Sequence, residues 1–84
     1  MRVNIKRLYH PNRQETGAIL TAVIPRAITY AQKLALESRL IDYAFNVLYP
    51  GQGLNIYREI NTDIASIVVI KHINDLPGDN IDIP

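Results

Sequence analysis

No cysteine occurs in the chain. That excludes a disulfide framework and a thiolate metal site, two common supplements to a small core. Strong charge of either sign is also missing: the formal net charge is +1, which excludes a strongly polycationic nucleic-acid binder. Apolar runs are short. Ile67 to Ile70 is among the longest, far too short to cross a bilayer, and MRVNIKRLYH lacks the apolar segment of a secretory leader. A soluble, cytoplasmic protein with no membrane partner is expected. The two histidines, His10 and His72, have no ligand at short spacing, and DLPGDNID lacks the order and closing glutamate of a calcium loop. Neither a metal nor a cofactor is expected.

Nucleophilic chemistry finds no anchor. Ser38 falls on a helical stripe and Ser66 inside an apolar strand, so each suits local backbone bonding. Neither lies in a glycine-flanked nucleophile turn. PGQG, residues 50–53, follows a helix, where the dipole has the wrong sign for phosphate. It reads as a helix stop. No catalytic residue is expected.

What is present describes one small domain, residues 1–84. Its composition, 48% hydrophobic and 20% charged, is globular rather than disordered. A domain this short is marginal alone, and oligomerisation is the remaining supplement. The charge is unevenly placed. Arg2, Lys6, Arg7 and Arg13 precede the first acid, Glu15, whereas Asp75, Asp79 and Asp82 close a turn-rich, flexible tail over 75–84.

Val3 and Ile5 alternate with Arg2, Asn4 and Lys6 as in a half-buried strand. HPNRQETG, residues 10–17, follows as a loop. AILTAVI, residues 18–24, is branched and poorly alternating, like a strand buried on both faces. Asn12 and Glu15 have capping-box spacing, so an alternative first helix would span 13–24; Gly17 and the branched residues oppose it. Pro25 suits the first turn of a helix that runs to about Leu48. LNIYREI and IASIVVIKHI, flanking NTD, read as a hairpin. Ile81 and Ile83, alternating with Asp82, have the pattern of a strand added to a sheet edge. The expected fold is α+β: about four antiparallel strands in ββαββ order with one long helix packed on one face. The alternative is β-α-α-β-β.

The helix carries two apolar stripes. Leu34, Ile41, Phe45 and Leu48, with Ser38 in register, are expected to face the sheet. Leu36, Leu40, Tyr43 and Val47 make the other stripe, which left in water would be a sticky patch. Lys33 and Glu37 are expected to pair on the exposed side. The second stripe is the candidate association surface, toward a second copy or another protein; the alternative is internal cover by the C-terminal tail or by a first helix. Arg2, Lys6, Tyr9, His10 and Arg13 are the candidate anion or nucleic-acid contacts, a less favoured use.

IYREINTDIASIVVIKHINDLP resembles the C-terminal hairpin of RelE/ParE-type toxins, over about a quarter of the chain. Ile73, Asn74 and Asp75 follow His72 where that family usually carries basic residues. The resemblance implies RNA cleavage or target binding with Arg58, Lys71 and His72 as the residues concerned. The leading expectation is a small non-enzymatic binding or regulatory module that acts by protein–protein association as a homodimer. A toxin-like RNA-binding or RNA-cleaving protein is the second class, and a small-ligand-binding homo-oligomer the third.

Overall fold

The computed structural model describes residues 2–24, 26–61 and 63–72. They form β1 (Arg2–Tyr9), β2 (Glu15–Val23), α1 (Tyr30–Tyr43) with a π-helical turn (Ala44–Leu48), β3 (Leu54–Arg58) and β4 (Ser66–Lys71). The ββαββ order is therefore present, and 15–23 is strand rather than helix. The β-branched run and Gly17 outweigh the Asn12–Glu15 capping spacing. The tail strand expected around Ile81 and Ile83 lies outside the described residues.

The four strands are all antiparallel, in the order β1-β2-β4-β3. A short loop joins β1 to β2. His10 and Gln14 close it through a 2.7 Å backbone bond, and Arg13 takes a left-handed φ of 72°. That conformation costs a residue with a Cβ roughly 1–2 kcal/mol. The register shifts between Leu8 and Tyr9, and this bulge turns Glu15 toward Arg7 and Tyr49. Gly17 allows β2 and β4 to approach closely: a Cβ there would lie 1.9 Å from the Val69 carbonyl oxygen.

The helix starts five residues later than Pro25 suggests. Thr29 caps it: its Oγ1 accepts from the Gln32 amide at 3.1 Å, and its own amide donates to Gln32 Oε1 at 2.9 Å. This reciprocal box satisfies two otherwise orphaned donors. After the π-turn the Tyr49 amide reaches back to Ala44 O, and Gly51 takes a φ of 76° as the chain reverses.

α1 lies over the central strands β2 and β4. The sheet supplies Ala18, Leu20, Ala22, Ile67 and Val69 to the core, and the helix supplies Leu40 and Ala44. The expected face is corrected here. Leu34 and Phe45 are exposed and only Ile41 and Leu48 pack onto the core, while the central line of the buried face is Lys33, Glu37, Leu40 and Ala44. That line runs between the two apolar stripes, so both flank the contact and neither is its centre. β2 is likewise buried fully on one face only, because Ile19 and Thr21 on its other face are half-buried.

The Lys33–Glu37 pair forms as spaced but is buried rather than exposed. Lys33 is 3% and Glu37 0% accessible, with Nζ to Oε2 at 2.5 Å. Lys33 Nζ also donates to the carbonyls of Glu59 and Ile64, and Arg58 Nη1 reaches Glu37 Oε1 at 3.2 Å. One ion network thus ties α1 to the β3–β4 turn. Its full set of partners permits the charges to be buried.

Candidate functional site

α1 covers β2 and β4 and leaves β1 uncovered by helix. A groove made of two hollows that meet at Arg39 runs along the side of α1 toward the start of β1, with Val3 as the β1 residue in its lining. Its lower part is lined by Val3, Asp42, Tyr43, Asn46 and Val47, with a volume of about 440 Å³. Its upper part, of about 340 Å³, is lined by Val23, Ile24, Arg26, Ile28 and Leu36. Arg39 lines both parts. The floor is apolar and the rim polar. β1 is an edge strand of the sheet, so alternate N–H and C=O groups on its outer side lack a ladder partner among the described residues.

This groove takes most of the second helical stripe. Leu36 and Tyr43 are half-buried in its wall, and Val47 is 59% exposed at its end. Leu40 does not belong there. It is completely buried against the sheet, because its position on the helix falls on the core line with Glu37 and Ala44. The candidate association surface therefore loses its central member and gains Val3, Arg39 and Val23, which come from other elements or from the polar strip.

The candidate anion contacts are spread along β1 rather than gathered. Arg2 and Lys6 alternate onto the helix-free face of the sheet, with Lys6 opposite Ile19. Tyr9 is 60% exposed beyond the bulge. His10 Nδ1 accepts from the Asn12 amide at 3.4 Å and Arg13 forms the loop corner. Arg2 and Arg13 are separated by the length of an eight-residue strand, roughly 25 Å.

The toxin-like set does not converge. Arg58 bonds Glu37 on the helix side at one end of the hairpin. Lys71 lies 5.2 Å from the centroid of the Tyr49 ring at the other end. His72 is bonded to Asn55 at 2.9 Å, a residue that shares the opposite face with Ile70. Each has a structural partner, and Arg58 and Lys71 are separated by four ladder positions in the register that matches Arg58 to Ile67.

A further polar cluster closes the bottom of the domain. The Glu15 carboxylate accepts from Arg7 Nη1 at 2.7 Å and from the Tyr49 hydroxyl. Its carboxyl is held below the usual glutamate value, first by the Tyr49 hydroxyl and then by Arg7, with partial burial opposing. The Tyr49 hydroxyl is pushed upward, by burial first and by Glu15 second. These groups satisfy one another and offer no unpaired acid or base.

The chain matches no protein-family model, no curated protein and no solved structure. Among the described residues no helix is long and apolar enough to cross a membrane.

Proposed function

We propose that this chain is a non-enzymatic binding module that acts by protein–protein association, with the groove between α1 and β1 as its docking site. The observation that carries this reading is the coincidence of a free strand edge with an apolar groove beside it. An extended segment fits both at once: its backbone pairs with β1, and alternate side chains enter the groove against Val3, Leu36, Tyr43 and Val47. The charges select its chemistry. On the groove itself Arg26 and Arg39 stand on the rim against one acid, Asp42, so cations outnumber acids there. The favoured occupant is an extended segment of another protein in which apolar and acidic residues alternate.

Amide exchange followed by NMR tests this reading. A synthetic peptide of alternating valine and glutamate is expected to slow exchange of the outward-facing β1 amides and to shift the signals of Tyr43 and Val47. The matching valine–lysine peptide is expected to do neither. Equal effects from both peptides, or protection elsewhere with β1 unchanged, would overturn it.

A further inference from the structure

The helix-free face of the sheet is a second surface, on the opposite side from the groove. Register and strand alternation set its side chains in rows across β1, β2, β4 and β3. Asn4, Thr21 and Ser66 form one row; Lys6, Ile19, Val68 and Tyr57 the next; Leu8, Gly17, Ile70 and Asn55 a third. Leu8, Ile19, Val68 and Ile70 are only half-buried, and Tyr57 is 57% exposed. Ile19, Tyr57, Glu59, Ile60, Ser66 and Val68 line a shallow hollow here of about 380 Å³. Polarity divides this face from side to side. Its β1 side carries Arg2 and Lys6, whereas its β3 side ends in Glu59.

We infer that this face is covered by the same face of a second copy of the chain, with the two-fold axis along the strands between β2 and β4. That operation keeps each row at its own level and lays β1 of one protomer over β3 of its partner. Lys6 then stands over Tyr57, a cation against an aromatic face. Glu59 falls level with Asn4, between Arg2 and Lys6. Ile19 meets Val68, and Ile70 comes over the position where Gly17 contributes no side chain. Every cation on the face gains an acidic or aromatic partner, and the apolar centre becomes the middle layer of an aligned sandwich.

The competing symmetric arrangements lack this match. A two-fold axis across the strands lays β1 on β1 and sets Arg2 and Lys6 against like charges. Edge-to-edge pairing of two β1 strands brings the same cations together. Four strands about 4.8 Å apart and rows spanning about 20 Å give roughly 400 Å² per face, about 800 Å² for the pair before side-chain relief is added, which is the size of a weak, reversible interface. This surface is independent of the groove, so the pair presents two grooves, one on each outer side.

Sedimentation equilibrium on the full chain, with circular dichroism to confirm folding, tests the inference. Wild type is expected to be a dimer. Lys6→Glu, an exposed change on an edge strand, is expected to raise the dissociation constant at least tenfold, and Lys6→Glu/Glu59→Lys to bring it back to within about threefold of wild type. The absence of cysteine permits a second readout. A mixture of Lys6→Cys and Tyr57→Cys chains is expected to join through a short bismaleimide, whereas neither chain alone joins to itself. In one chain those positions stand three strands apart, roughly 14 Å. A monomer throughout, a dimer indifferent to Lys6→Glu, or Lys6→Cys joining to itself would overturn the inference. So would oligonucleotide binding on this face that Lys6→Glu abolishes, since the face would then belong to nucleic acid.

Discussion

The two ends of α1 invert the usual relation between polarity and burial. Its first half places Lys33 and Glu37 in the interior, and the turn that follows it leaves Phe45 and Val47 in solvent. The difference lies in the partners available. Lys33 and Glu37 satisfy each other and also meet two turn carbonyls and Arg58, so their desolvation is compensated. Phe45 and Val47 project from the sides of the turn away from the sheet, while Ala44, Leu48 and Tyr49 take its covered side, and nothing within the described residues encloses them. Burial in this domain follows what each position can reach, and hydropathy is only part of that.

Breaking the interior network is the harshest test of this contrast. Removing one member leaves the other charge buried without its partner, which typically costs about 3–5 kcal/mol. For a domain whose total stability is of the order of 5 kcal/mol, Lys33→Ala or Glu37→Ala is expected to leave much of the population unfolded in thermal denaturation. The double change Lys33→Met/Glu37→Leu is expected to recover part of that loss, because no buried charge remains on α1. A double variant no more stable than the single ones would assign the network's value to the turn carbonyls instead.

The two ends also differ in how they respond to truncation. Leu40→Ala empties a fully enclosed site and is expected to cost about 2–5 kcal/mol. Val47→Ala, at an exposed position, is expected to change stability by about 0.5 kcal/mol or less. Comparable losses in chemical denaturation would mean that Val47 is enclosed after all.

Smaller effects come from the edges of the sheet. Tyr49→Phe removes the hydroxyl that Glu15 accepts and is expected to cost about 1–2 kcal/mol. The pH dependence has a definite sign. Glu15 is depressed in the folded state, so its contribution is present above the ordinary value of 4.5 and is lost as pH falls through the lower folded value. The acid side of the stability profile should therefore be shallower in Tyr49→Phe than in wild type. Arg13→Gly relieves the left-handed corner of the β1–β2 loop and is expected to add about 0.5–1 kcal/mol, measurable as a raised melting temperature.

Most of the architecture was legible in the amino-acid order. The alternation of β1, the branched run of β2, the helical spacing before PGQG and the NTD turn all correspond to observed elements. Pro25 signals a helix start earlier than the real one, because the Thr29–Gln32 box is the cap that sets it. The helix face was misjudged for a deeper reason. Hydropathy assigns Lys33 and Glu37 to solvent, and only the approach of Arg58 and the Glu59 and Ile64 carbonyls, far away in sequence, makes the opposite placement stable. Leu40 changed sides with them. The groove was legible only in part, since Leu36, Tyr43 and Val47 stood out while Val3 and Val23 join them through tertiary placement alone. The helix-free face depends on strand order, which local pattern does not determine.

Titration of the valine–glutamate peptide into Val47→Asp tests the central claim most directly, that the unenclosed end of α1 is a contact surface. The account predicts a folded variant with wild-type melting behaviour whose affinity for the peptide is at least tenfold weaker, since the apolar contact is lost and like charges meet. Unchanged affinity in a folded Val47→Asp chain would contradict it.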